Sequence, residues 1–169
     1  MNIWFTSSLY FIATSHMPIL LSGLPAIQMC PTQMNPLSVF HRNILPGFLK
    51  LSNSSPIPAL HFLLGELPVE ATLHIWTLGL LYNIADNQAS TANSIVKYIL
   101  MMCKDNSTTW SNHVHSLCLK YDLPSPLSLL QGQGQLQSKE SWNTLVKTRM
   151  TIWHEEQLRK ISKLNSKMH

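Results

Sequence analysis

The chain has 169 residues, of which 45% are hydrophobic and only 12% are charged. The hydrophobic share is enough for one domain with a sizeable core, whereas the charged share is half the usual ~25%. The three cysteines are widely and irregularly spaced, which argues against a disulfide framework. So little charge predicts exposed apolar surface of the kind that a partner covers.

The N-terminal part of the chain has almost no charge. Arg42 and Lys50 are the only charged residues in 1–65, and no Lys or Arg precedes the apolar run 3–14. A signal peptide usually has a basic start, and polar residues break this run before it reaches the ~20 residues of a membrane span. We therefore expect residues 1–35 to be a loosely ordered apolar lead-in. We also expect an intracellular chain, in the cytoplasm or nucleus, with no membrane contact.

Interrupted helical segments are predicted before residue 68. Residues 36–50 suit a helix, but Pro46 and Gly47 lie inside it. Proline there removes a backbone donor and clashes with the preceding turn, which predicts a kink or two short helices. The apolar composition of residues 58–66 indicates a further short helix.

Pro68 begins the clearest predicted helix, because proline is favoured at the first helical position. Apolar residues recur at helical spacing, and a polar stripe runs beside them. The apolar positions are Val69, Leu73, Trp76 and Leu80, and the polar ones are Glu70, His74 and Thr77. Since Glu70 and His74 share a side, we expect them to form a structural polar pair. The helix should end near Asp86.

Two further helices follow. The first of them begins near Ser90 and carries Ile95, Ile99 and Met102 beside Val96, Leu100 and Cys103. The second has a one-sided core stripe of Trp110, Val114, Leu117, Cys118 and Tyr121. Pro124 and Pro126 should end it.

The C-terminal part is predicted to be a flexible Gln/Gly linker, 131–137, followed by a basic helix, 138–169. Trp142, Val146, Met150 and Trp153 should face inward, and Glu155–Arg159 and Glu156–Lys160 are favourable i,i+4 pairs. No segment shows sustained strand-like alternation. The fold should therefore be all-α, an irregular bundle of about five to six helices.

The segment 36–74 carries a motif of the form FHR, a leucine-rich turn, LLGELPVEA and a histidine. The matching residues are Phe40, His41, Arg42, Leu45, Leu63, Leu64, Gly65, Leu67, Pro68, Glu70, Ala71 and His74. This pattern resembles the region downstream of the reverse-transcriptase palm in non-LTR retrotransposons.

The resemblance implies that the chain is a truncated, C-terminal piece of such an enzyme, with 36–130 corresponding to its thumb and connection region. The catalytic aspartates of the family would lie before residue 1. The chain would then be a non-catalytic fragment of an RNA-directed DNA polymerase that keeps at most weak, non-specific contact with RNA or DNA. Pro46 departs from the family, which tends to carry further basic residues on this helix.

The sequence contains no recognisable catalytic motif. The nearest string to the family's aromatic-Ala-Asp-Asp turn is Ile84-Ala85-Asp86-Asn87, which has one carboxylate and reads as a helix end. The histidines and cysteines lack metal-ligand spacing, and Cys103 and Cys118 fall on apolar sides. No G-x-S-x-G turn is present. We expect no catalytic residue, no metal and no cofactor.

Nucleic-acid contact needs only suitably spaced cations. Residues 139–169 contain seven basic and three acidic residues, which accounts for the whole net charge of +4. The candidate contacts are Arg42, Lys50, Lys147, Arg149, Arg159, Lys160, Lys163 and Lys167. The alternative is a free-standing α-helical interaction module with no nucleic-acid role, which covers its apolar surface with a protein partner.

Overall fold

The computed structural model describes residues 23–27, 29, 31–49, 61, 67–102, 109–131 and 138–165. These residues form one 3-10 turn (Leu24–Ala26), six α-helices and no strand, so the all-α prediction is confirmed. The helices are α1 (Pro31–Leu49), α2 (Val69–Asp86), α3 (Thr91–Met102), α4 (Trp110–Lys120), α5 (Pro126–Leu130) and α6 (Lys139–Asn165). Most of the predicted lead-in, of helix 58–66 and of the Gln/Gly linker lies outside the described residues.

The chain divides into two compact units, Met1–Leu73 and His74–His169. The division falls inside α2, where no change in composition marks it. The first unit contains α1 and the first residues of α2, including the buried Val69, Ala71 and Leu73. The second unit contains the rest of α2 and helices α3 to α6.

Helix α1 runs continuously through two internal prolines, Pro36 and Pro46. Of the two predicted alternatives, a kink or two short helices, the division into two helices is therefore wrong, and the kink stays a prediction. An internal proline costs a helix about 3 kcal/mol through a lost hydrogen bond and a ring clash. Pro46 is buried, so the packing of its ring offsets part of that cost.

Helix α2 begins directly after Pro68, whose carbonyl accepts a hydrogen bond from the Thr72 N–H at 3.1 Å. It ends at Asp86, as the sequence predicts. The buried side differs only in part from the predicted one, since Val69 and Leu73 are buried as expected. His74 and Thr77 of the expected polar stripe are buried.

Trp76 and Leu80, which belonged to the expected apolar side, are only half-buried. The reason is that α2 is apolar around most of its circumference. Spacing alone therefore does not select the side that packs inward.

The core of the second unit is built by α2, α4 and α6. Its buried members are Leu78, Leu81, Tyr82, Val114, Leu117, Cys118, Tyr121, Trp142, Val146 and Met150. The half-buried Trp110 and Trp153 pack against them. The predicted inward stripes of α4 and α6 are therefore confirmed.

Trp142 joins α6 to α2 by more than apolar contact. Its indole Nε1–H donates to the carbonyl of Leu78 at 3.2 Å, and its ring stacks on Tyr82 with 6.0 Å between centroids. Trp142 is buried. A buried indole needs such an acceptor, because an unpaired N–H in an apolar core is costly.

Helix α4 ends in a left-handed cap. Asp122 has φ of 52°, the Leu123 N–H donates to the carbonyl of Cys118 at 2.9 Å, and the Asp122 N–H donates to that of Leu119 at 3.4 Å. These are the two bonds of a Schellman motif, usually completed by glycine at the left-handed position. The cap turns the chain immediately after Tyr121, whose side chain is buried in the core.

A short turn joins α2 to α3 and is held by side chains. The Ser90 hydroxyl accepts a hydrogen bond from the Asn93 N–H at 3.0 Å, which caps the start of α3. The buried Asn93 amide donates in turn to the carbonyl of Ile84 at 2.9 Å. Ile84 lies in the last turn of α2, where carbonyls lack helical partners. The side chain of Asn93 on α3 thus supplies a hydrogen-bond donor to a carbonyl in the last turn of α2.

Candidate functional site

The second unit gathers polar and aromatic side chains around His74. We name them the His74 cluster: His74, His113, Lys120, Tyr121, Trp153 and His154. The Nδ1 atom of His74 lies 2.8 Å from the hydroxyl oxygen of Tyr121, and both residues are buried. This bond joins α2 to the residue that follows α4.

The imidazole of His74 is neutral at physiological pH. Its pKa is lowered from 6.5 to about 3, mainly by burial and in addition by the charges of the neighbouring Lys120, His113 and His154. A neutral ring has one donor and one acceptor nitrogen; with the proton on Nε2, the Tyr121 hydroxyl donates to Nδ1. The ring pairs with a polar group inside the core, which is the role that buried polar atoms usually have.

Lys120 completes the cluster as a cation over aromatic rings. Its Nζ atom lies 4.4 Å from the ring centroid of Trp153 and 5.2 Å from that of Tyr121. The Trp153 ring meets Tyr121 edge-on, with 5.7 Å between centroids. An ammonium over a partly desolvated ring gains about 0.5–2 kcal/mol. The same charge opposes protonation of His74, so the two features are linked.

Metal or thiol chemistry is not supported by the part of the chain that the structure describes. There, no three His, Cys, Asp or Glu side chains lie close enough together to hold a metal ion. Cys118 is buried, and burial raises the pKa of its thiol to about 12. A thiol that stays protonated is a poor nucleophile and a poor metal ligand. The prediction that Cys118 is a core residue is confirmed; Cys30 and Cys103 lie outside the described residues.

A second histidine contact lies in the first unit. The rings of His41 and His61 stack with 5.4 Å between centroids. The pKa of His41 is lowered to about 4, mainly by burial and in addition by the neighbouring His61. His41 belongs to the FHR motif, so one residue of that motif is a buried core residue of α1.

The predicted nucleic-acid contacts that the structure describes lie on α1 and α6. On α6, the exposed cationic residues are Lys147, Arg149, Arg159 and Lys160. Since each residue turns a helix by about 100°, Arg149 and Lys160 share one side of α6, and Lys147 lies on the other. Arg149 forms an ion pair with Asp122 at 3.0 Å, and Arg159 forms one with Glu155 at 3.9 Å. The Glu155–Arg159 pair was predicted and is confirmed.

The structure describes only some of the other predicted cationic residues. The Nε atom of Arg42, on α1, donates to the carbonyl of Ser38 at 3.2 Å. Lys50, Lys167 and the side chain of Lys163 lie outside the described residues. Their contact with nucleic acid stays a prediction.

The predicted polar pair of Glu70 and His74 also stays a prediction. Glu70 is exposed and belongs to the first turn of α2. One hydrogen-bond partner of His74 is Tyr121. Sequence reasoning missed this contact, because 47 positions separate the two residues.

Helix α3 presents an apolar side to solvent. Four residues with the spacing i, i+3, i+4 and i+7 are exposed: Ile95 (53%), Tyr98 (64%), Ile99 (36%) and Met102 (64%). We name these four residues the α3 face. Met101, beside it, is 53% exposed. Adjacent residues of a helix at this spacing form one continuous surface.

The opposite side of α3 is anchored to the protein. It carries the buried Asn93 and the half-buried Val96 and Leu100, and α3 contacts α4 and α5. The helix is therefore fixed on one side and apolar on the other. The sequence signal for this surface was indirect, namely the low share of charged residues.

Comparison of the chain with protein-family models, with curated proteins and with solved structures finds no match. The resemblance to non-LTR reverse transcriptases therefore stays a prediction from its motif. Among the described residues, no helix is long and apolar enough to cross a lipid bilayer.

Proposed function

We propose that this chain is a non-catalytic helical module that binds another protein chain through the α3 face. The observation that carries the proposal is the anchored helix with four adjacent exposed apolar residues, Ile95, Tyr98, Ile99 and Met102. Single exposed apolar residues are ordinary, but a contiguous group of them is typical of an interaction site. Aromatic residues and methionine are also enriched at such sites.

The composition supports the same function. A chain with 12% charged residues has few groups to keep an apolar helix surface soluble. Of the 12 residues of α3, only Lys97 carries a charge, and it is half-buried. A protein partner would remove this surface from water, with a gain of roughly 25 cal/mol per Å² of apolar area.

Site-specific photocrosslinking tests the proposal. Tyr98 is replaced by p-benzoylphenylalanine in the full chain, which is then irradiated in the cells that express it. The matched control places the same residue at Leu119 on α4, which is 72% exposed. We expect a discrete covalent adduct from position 98 and none from position 119. Equal labelling at both positions, or no adduct at 98, would contradict an interaction through α3.

Weak contact with RNA or DNA is a second candidate, favoured by the net charge of +4 that residues 139–169 carry. With the motif resemblance as its premise, the chain would be a C-terminal fragment of a retrotransposon polymerase. Lys147 and Lys160 on α6 are exposed cations suited to phosphate.

The nucleic-acid candidate predicts that a labelled single-stranded oligonucleotide binds at about 50 mM salt and is released by about 200 mM. The double variant Lys147→Glu/Lys160→Glu should bind it more weakly. Binding that ignores both salt and these substitutions would exclude this candidate. The resemblance itself is checked by the genomic DNA upstream of the Met1 codon, which should encode an aromatic-Ala-Asp-Asp palm.

A further inference from the structure

We propose that the partner of the α3 face is the same face of a second copy of this chain, in an antiparallel helix pair. The inference rests on the interaction function proposed above and names its partner. Three properties of the α3 face support such a pair: its area, its spacing and its lack of charge.

The area of the face suits a weak dimer. Large apolar residues expose roughly 200 Å² each when fully accessible. With exposures of 36% to 64%, the α3 face and Met101 together offer about 500 Å². Two copies would bury about 1,000 Å², which is at the lower limit for a specific interface. The self-association should therefore be reversible and depend on concentration.

The spacing of the face is symmetric about its centre. A two-fold axis between Tyr98 and Ile99 would place Tyr98 against Ile99 of the partner, and Ile95 against Met102 of the partner. Such an isologous contact is the usual form of a homodimer. In an antiparallel pair the helix dipoles oppose each other, whereas a parallel pair would bring like ends together.

The charge distribution permits two copies to approach. The chain carries +4 overall, but the α3 face has no charged residue. Seven of the twelve basic residues lie in 139–169, away from α3 in the sequence. A heterologous partner with a charged groove would find no complementary charge here, while a second copy needs none.

Sedimentation equilibrium of the full chain, from about 1 µM to about 1 mM, tests the dimer. We expect the mass to rise from one chain to two over this range. Ile99→Lys should raise the dissociation constant at least about tenfold, because it places two like charges at the centre of the interface. The matched control Leu119→Lys should leave it unchanged. If far-UV circular dichroism shows that Ile99→Lys is unfolded, Tyr98→Lys replaces it as the test variant.

Three results would overturn the dimer. One is a monomer at all concentrations. Another is a dimer whose dissociation constant is unchanged by Ile99→Lys or Tyr98→Lys. The last is an equal loss of dimer affinity in Leu119→Lys, since the loss would then come from the added net charge and not from a change in the α3 face.

Disulfide trapping tests the antiparallel arrangement. In a variant with Cys30, Cys103 and Cys118 replaced by alanine, Tyr98→Cys lies next to the two-fold axis and should form a cross-linked dimer on mild oxidation. Ile95→Cys should cross-link more slowly, because it faces Met102 of the partner. If Ile95→Cys forms the dimer as fast as Tyr98→Cys, the antiparallel pair is wrong.

The dimer and the interaction function can fail separately. An adduct from position 98 whose mass is not twice that of the chain, together with a monomer in sedimentation, would leave the interaction function standing and remove the second copy as partner. If position 98 yields no adduct in cells and the purified chain is a monomer at all concentrations, both proposals fail.

Discussion

The neutral His74 makes a quantitative prediction about acid stability. Its pKa is 6.5 in the unfolded chain and about 3 in the folded chain. Above pH 6.5 neither state binds the proton, so the histidine has no effect on the free energy of unfolding. Between pH 6.5 and about 3 the unfolded chain binds a proton that the folded chain does not. Stability is therefore lost as the pH falls through this window.

The size of the loss follows from the two pKa values. Each unit of difference corresponds to about 1.4 kcal/mol, so lowering the pH from 7.5 to 5 should cost about 2 kcal/mol through His74 alone. The whole window corresponds to about 5 kcal/mol, which is comparable to the total stability of many domains.

Urea unfolding at a series of pH values, followed by tryptophan fluorescence and circular dichroism, measures this dependence. His74→Gln removes the titrating group but keeps a polar side chain that can hydrogen bond to Tyr121. The acid-induced loss should be smaller in this variant by about 2 kcal/mol at pH 5. His115→Gln removes an exposed histidine of α4 and should keep the wild-type loss.

His41 contributes to the acid-induced loss in both proteins, so it cancels in the comparison between wild type and His74→Gln. Parallel pH curves for wild type and His74→Gln would refute the reasoning. They would mean that the His74 cluster accepts a proton without opening, for example by moving Lys120 away from the aromatic rings.

Three further predictions concern stability. Met150→Ala should lower the free energy of unfolding by roughly 2–5 kcal/mol, because Met150 on α6 is fully buried in the core that α6 forms with α2 and α4. The control Ile152→Ala, at a 47% exposed position of the same helix, should lower it by less than about 1 kcal/mol. Urea unfolding measures both. Asp122→Ala should be less stable than Asp122→Gly by about 1 kcal/mol in thermal unfolding, since both lose the ion pair and only glycine relieves the left-handed backbone. A value near zero would show that φ of 52° carries no strain. Asn93→Ala should cost about 1–3 kcal/mol and speed amide hydrogen exchange in α3, because it leaves a carbonyl of α2 without its donor. Exchange unchanged from wild type would mean that packing alone holds the helix.

The sequence predicted the one-sided helices well. The stripes of α4 and α6 combine apolar residues at helical spacing with a clear polar side, so the periodicity alone identifies Val114, Leu117, Val146 and Met150 as core residues. Helix α2 lacks that contrast. Its inward side was partly mispredicted, because His74 and Thr77, assigned to a polar stripe beside the apolar one, are buried.

The candidate site depends on contacts that no local pattern contains. The bond between His74 and Tyr121 and the cation over Trp153 require the packed arrangement of three elements. The exposure of the α3 face is likewise a tertiary property, because Ile95 and Ile99 look like core residues in the sequence. Only the low overall charge indicated that apolar surface would remain uncovered.

The hydrogen bond from Asn93 to Ile84 has a consequence for affinity. Because Ser90 and Asn93 fix the start of α3 to the end of α2, the helix is already ordered before any partner arrives. Binding then avoids the backbone entropy of folding a helix, about 1–2 kcal/mol per residue fixed. A residue on the far side of the helix, which never touches the partner, would thus tune how tightly the partner binds.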